Sequence, residues 1–335
     1  MSGSITAGTA PRSTAAEPAR LSGPPWRIVL AGLAWLALAG LTSQLPEAGD
    51  FPRTAVFAQG SAAIGLALLP LGLLAGSLGT IGARLRHGSP WLAAVAVALL
   101  AWELVTAKLD LLPMPFFPPP QAILEVFLDD WRKLGGSTLN SLILLAGGYA
   151  IGSSVGFVLG VAIGTSKAVG YWAHPVLRFV GPLPATAWLP LAFFVFPSSW
   201  SASTFLVALA TGFPVTVLTW SGVAGVNKAY FDVARTLGAS RSFLILRVAI
   251  PAALPHVFVG LFMGLGGSFA VLVVAEMLGV KSGLGWYLQW AQGWAAYANM
   301  YAALIVMALM CSSLITLLFR LRDRLLAWQK GLVQW

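Results

Sequence analysis

The sequence predicts an all-α polytopic membrane protein with about eight transmembrane helices, and three observations predict it. Of 335 residues, 58% are hydrophobic and 9% charged, with a mean hydropathy of +0.82. That is too little charge to cover a soluble surface. Second, the apolar residues gather in runs about long enough to cross a ~30 Å hydrocarbon core at 1.5 Å per helical residue. Third, Lys and Arg are distributed unevenly between alternate connections, as they are around membrane helices.

The chain opens with residues 1–25, rich in Ser, Thr, Ala, Pro and Gly. This composition predicts a disordered cytoplasmic tail. A cleaved signal peptide is the rival reading, but no small-residue cleavage site follows the first apolar run. The runs are Ile28–Leu45, Ala55–Leu78, Trp91–Ala107, Leu139–Gly164, Val180–Phe196, Thr204–Ala224, His256–Leu278 and Tyr301–Phe319. Helices are the expected form, because a backbone in lipid must satisfy its own hydrogen bonds and no alternating barrel pattern appears.

With the amino terminus inside, only Arg53, Lys108, Arg132, Lys133 and Lys281 of the 20 basic residues fall outside. This bias places both termini in the cytoplasm. It also accounts for the net charge of +9 without a nucleic-acid partner. The single cysteine, Cys311, lies in an apolar run, so no disulfide framework is expected. His87, His174 and His256 are scattered without metal-ligand spacing. Neither a metal site nor a catalytic residue is expected.

Residues 26–90 read as two additional transmembrane helices and their connection, separated from the rest by Gly79–Pro90. An outer loop follows, with Pro113-Met-Pro-Phe-Phe-Pro-Pro-Pro120 as a stiff extended stretch and Ala122–Trp131 as an amphipathic piece. In the fourth run Gly148, Gly152, Gly156, Gly160 and Gly164 recur every fourth residue. They flatten one ridge of a helix, so a second backbone can approach, either within one bundle or at a subunit interface. The fifth run opens with Pro182, Pro184, Trp188 and Pro190, and three prolines so close together break a straight helix. These residues line a translocation path or simply form a structural kink. Glu103 and Glu276 are expected near the membrane surface, where snorkelling is cheap, which argues against proton coupling. Trp286, Trp290 and Trp294 form either an interfacial aromatic belt or a wall facing a substrate or partner.

Between the sixth and seventh runs lies a segment with more structure than a connection requires. A helix can start at Asn227 and end at Gly238, with Asp232 and Arg235 paired at i,i+3. Tyr230, Phe231, Val233, Ala234 and Leu237 give it an apolar surface. Ser240 can cap a second helix carrying Arg241 and Arg247, and Pro251 and Pro255 set the entry of the seventh run. The segment is either a docking surface or an amphipathic hairpin lying on lipid.

Asp232-Val-Ala-Arg-Thr-Leu-Gly-Ala-Ser240, followed by Val248-Ala-Ile-Pro-Ala-Ala-Leu-Pro255, resembles the "EAA" loop of ABC importer permeases. Asp232 stands where many members carry Glu, and Val233 where many carry Ala. Ala275-Glu-Met-Leu-Gly279 and Ser282-Gly-Leu-Gly-Trp286 extend the likeness, as do the Pro-rich outer loop, the proline-broken fifth run and the basic tail ending at Trp335. From about Trp91 to Trp335 the chain resembles the nitrate/sulfonate/taurine branch. The resemblance implies a six-helix type I permease core at 91–335 with two extra N-terminal helices. It further implies a homodimer, cytoplasmic ABC ATPase subunits and a periplasmic or extracellular substrate-binding protein. Residues 227–241 would be the coupling helix, with Tyr230, Phe231, Asp232, Ala234, Arg235, Leu237, Gly238, Ser240, Arg241 and Pro251 at the ATPase contact.

The implied function is import of a small anionic solute across the cytoplasmic membrane by alternating access. Anionic cargo rests on the resemblance alone, because no buried basic residue is expected in the spans. ATP and magnesium would sit on the partner subunit, since this chain has no phosphate-binding Gly-Lys motif. An ion-coupled secondary transporter is the alternative. It would need ionisable residues along a central path.

Overall fold

The computed structural model describes residue 24 and residues 26–329; the predicted tail 1–25 and the terminal Trp335 lie essentially outside them. Among the described residues the regular elements are all helical. Seven helices are long and apolar enough to cross a membrane, and a bent pair makes an eighth candidate. The chain divides into two compact units at Val126/Phe127.

The first unit is built on α1 (Trp26–Gln44), α2 (Thr54–Leu73) and α3 (Gly79–Glu103), the last continuing through a π turn, Leu104–Lys108. The expected break at Gly79–Pro90, and with it the expected boundary at residue 90, falls inside α3. The reason is local. Pro90 cannot donate to the Arg86 carbonyl four residues back, and the Ser89 hydroxyl donates to that carbonyl instead, at 3.0 Å. The helix therefore runs on.

Ile28, Ala31, Trp35 and Leu38 of α1 pack with Leu68, Ala75 and Ala96 in one cluster, and Trp35 Nε1 donates to the Leu92 carbonyl at 3.1 Å. Lys108 Nζ donates to the carbonyls of Thr42 and Leu45 at 2.8 and 3.0 Å and pairs with Glu47 at 3.3 Å. Glu103 lies 3.8 Å from the same ammonium and accepts from Gln121 Nε2 at 3.2 Å. Far from snorkelling, Glu103 is fully buried.

The chain passes through α4 (Pro120–Asp129) into the second unit. Its centre is α8 (Ser199–Ala224), with α5 (Trp131–Thr165) packed along one side and α11 (Ile250–Leu278) along another. The five glycines of α5 all face α8. A Cβ at Gly156 would stand 2.6 Å from the Gly212 carbonyl, and one at Gly160 would stand 2.7 Å from that of Thr216. From the other side Gly260 and Gly264 of α11 approach Val215 and Thr211 of α8. Lipid tails cannot drive helices together hydrophobically, so this backbone-to-backbone fit supplies the packing.

The fifth predicted span is not one helix. α6 (Lys167–Val180) meets a 3₁₀ turn at Ala185–Trp188 and α7 (Leu189–Val195) at an angle of 88°. Residues 181–184, which include Pro182 and Pro184, occupy the break. Beyond α8 come α9 (Lys228–Thr236) and the short turn α10 (Arg241–Phe243), then a π turn at Leu244–Ala249 that leads into α11. Arg241–Leu278 forms one helical rod of 38 residues. The seventh span therefore starts well before the expected entry at Pro251 and Pro255. Pro251 lies inside that rod, at the junction of the π turn and α11. α12 (Leu284–Gly293) and α13 (Tyr297–Leu325) complete the unit.

Candidate functional site

The segment expected to dock is built from local signals. Asn227 caps α9 by accepting from the Ala229 N–H at 3.0 Å. At the far end the Gly238 N–H donates to Arg235 O at 2.9 Å, and the Ala239 N–H reaches back to Ala234 O at 3.0 Å. Those two bonds are a Schellman motif, which requires a left-handed residue; Gly238 has φ +79°. Arg235 Nη1 lies 3.1 Å from Asp232 Oδ1 on the solvent-facing side. Ser240 Oγ then accepts from the Phe243 N–H at 3.3 Å and starts the rod.

The side chains of α9 divide into two sets. Phe231 turns inward against Val223, Ala249 and Ala253, which anchors the helix to the bundle. Tyr230, Val233 and Leu237 are left exposed, Leu237 at 82%. Ala234 is half-buried beneath the turn, and Arg241 is exposed at the start of the rod. A short helix anchored by one aromatic and presenting three apolar side chains has the form of a docking knob. Pro251 is not part of this exposed face; it is half-buried just beyond the π turn.

At the break between α6 and α7 lies a concavity of about 320 Å³. Pro184, Ala185 and Thr186 line it from the bend, and Ala210, Phe213 and Gly267 line it from α8 and α11. Of Pro182, Pro184, Trp188 and Pro190, Pro184 alone lines this concavity. Pro182 and Pro190 are exposed, and Trp188 packs against a cluster that includes Leu206, Val271 and Ala275.

A buried polar site joins the far end of α11 to α5 and α12. Glu276 is 1% exposed rather than near the surface. Its carboxylate accepts from Ser141 Oγ at 2.7 Å and from the Gly285 N–H at 2.8 Å. Ser141 Oγ in turn accepts from the Leu284 N–H at 2.7 Å. Glu276 thus caps the amino terminus of α12 from the preceding helix, where the helix dipole favours an anion. Any side chain at Gly283, which has φ +105°, or at Gly285 would collide with the carboxylate or the α11 backbone. The Ser282-Gly-Leu-Gly-Trp286 pattern therefore has a steric cause. Sequence reasoning noted Glu276 but missed Ser141, which no local signal distinguishes.

Nearby, Asp130 Oδ2 accepts from Tyr287 Oη at 2.7 Å and from Asn299 Nδ2 at 3.3 Å. Burial, assisted by the Asp130 carboxylate, pushes the Tyr287 phenol above its ordinary range. Lys133 Nζ sits 3.4 Å from the centre of the Trp290 ring, so one of the three tryptophans is committed to a cation–π contact. Trp294 is largely exposed.

Comparison with known proteins identifies the family. Residues 131–330 match the family model described as binding-protein-dependent transport system inner membrane component. The chain is 32% identical over 245 residues to the taurine transport system permease protein TauC of Escherichia coli, covering 70% of this chain and 87% of that protein. It is 29% identical over 262 residues to the nitrate import permease protein NrtB of Synechococcus elongatus, covering 75% and 91%. Against the putative aliphatic sulfonates transport permease protein SsuC of Bacillus subtilis it is 29% identical over 253 residues, covering 74% and 91%. The docking knob and the broken span lie within the matched region, and the chain belongs to the family of binding-protein-dependent transport system inner membrane components, as a multi-pass ABC importer permease.

Proposed function

We propose that this permease imports a small oxyanion, of the nitrate or sulfonate kind, from an external binding protein, driven by separate cytoplasmic ABC ATPase subunits. The cargo class follows the relatives, whose names specify nitrate, taurine, aliphatic sulfonates and bicarbonate. ATP and magnesium belong to the ATPase, and the permease works as a homodimer in the inner membrane, with residues 91–335 as its core and both termini cytoplasmic. The basic-residue bias supports that orientation.

The observation that carries the coupling role is α9, pinned by Phe231 and offering Tyr230, Val233 and Leu237 outward. Seated in a groove of the ATPase, these side chains transmit closure of the ATPase pair to the bundle. Gly238 holds the knob at its angle. Leucine there costs about 1–2 kcal/mol in a left-handed conformation, so the knob is aimed correctly about 5–30-fold less often. Gly238→Leu should insert normally but lose most ATP-driven transport in proteoliposomes. Unchanged transport with a full complement of co-purified ATPase would refute the coupling role. Ligand binding by the binding protein that accompanies the complex would identify the cargo.

A further inference from the structure

The concavity at the bend has a neighbour. His174, Leu177 and Arg178 of α6 face Phe213, Val217 and Trp220 of α8 across a space of about 400 Å³. His174 and Arg178 are four residues apart and so lie one above the other on the same helical face. The His174 ring is 4.4 Å from that of Trp220, at 55°, which holds the imidazole against the α8 wall. Among the described residues no acid pairs with Arg178, and none lines the space. The sequence assigned Arg178 to a connection. It lies on α6, one limb of the bent helix pair, where it borders a concave site.

An arginine without a counter-ion beside a mostly apolar concavity is a candidate anion ligand. Its planar guanidinium matches the oxygens of an oxyanion with two parallel donors. The imidazole adds a third direction of approach, and the rest of the lining is aromatic and aliphatic. Phe213 belongs to both concavities and packs against Gly181, so they follow one another along α8 with a single ring between them.

We propose that the space between α6 and α8 is a binding site for a small oxyanion, held by Arg178 and His174, with Phe213 dividing it from the concavity at the bend. This deepens the anion-import reading and rests on it for the cargo. The same chemistry could be met by a free anion or by a phospholipid headgroup.

The test uses the purified chain in lipid nanodiscs and the arginine reagent phenylglyoxal, which can reach Arg178 because its side chain is exposed. Modification is followed by mass spectrometry, with the exposed Arg320 of α13 as an internal reference. Sodium nitrate and sodium methanesulfonate are the probes, against sodium chloride at equal ionic strength. A probe at about twice its dissociation constant should slow modification of Arg178 about threefold, since protection scales as one plus the ratio of ligand to Kd. Arg320 should not respond, and His174→Gln should weaken the protection. In phosphatidylcholine discs a free-anion site shows protection only when the probe is added. A headgroup site is slowed without any probe once phosphatidylglycerol is included. Equal behaviour of Arg178 and Arg320 under every condition would overturn the site. If the accompanying binding protein carries an anion but Arg178 is unprotected, this site alone fails. If Arg178 is protected but the cargo is neutral, the import reading fails and the site stands.

Discussion

At the scale of single residues, Glu276 carries the heaviest structural duty. Its carboxylate answers a hydroxyl from α5 and a backbone N–H from α12, all away from solvent. Glu276→Ala leaves these donors without an acceptor, at a cost of about 1–3 kcal/mol for each buried group stranded. Glu276→Gln retains one acceptor oxygen and most of the shape. Thermal unfolding in detergent should therefore rank wild type above Glu276→Gln and Glu276→Gln above Glu276→Ala. Equal midpoints for the two variants would show that the acceptor does not matter. Ser141 could not be paired with this glutamate from the sequence, because the two are 135 residues apart and one serine among many carries no signal.

At the scale of elements, what was legible depended on how local its cause was. Caps, a left-handed glycine and an i,i+3 ion pair lie within a dozen residues, and α9 could be read from them. The glycine ridge of α5 was equally plain; its partner α8 was not, because the complementary surface is a set of carbonyls and small side chains. The helix α6 carried no apolar run in the sequence, with Lys167 and Arg178 near its two ends, while the prolines after it signalled the break. The α5–α8 fit yields its own prediction. Gly156→Ala must push the Gly212 carbonyl away and should cost about 1–3 kcal/mol by overpacking. Gly147 has no neighbouring atom within 4 Å of an added Cβ, so Gly147→Ala should leave the unfolding midpoint essentially unchanged. Identical effects at both positions would contradict the assigned packing.

At the scale of the whole molecule, the first two helices look less detachable than the sequence made them. Within the first unit α1 closes over α3, and Lys108 is bound to two carbonyls at the end of α1. A chain lacking residues 1–78 retains Lys108 and Glu103 but loses Thr42, Leu45 and Glu47 around them. Limited proteolysis should then cut between residues 79 and 126 several-fold faster than in the full chain, as local opening becomes easier. An unchanged rate would mean that α1 and α2 do not stabilise α3. ATPase co-purification with the same truncated chain tests separately whether the expected core at 91–335 suffices for assembly.

The rod Arg241–Leu278 has a mechanical consequence. Its 38 residues extend about 57 Å at 1.5 Å per residue, roughly twice the thickness of the hydrocarbon core. One end is yoked to α9 through the turn at Gly238, and the other is bolted to α12 through Glu276. One continuous helical element therefore joins the α9 turn to the α12 cap, so a displacement of either end must be taken up along the rod, at its π turn or at Pro251 and Pro255.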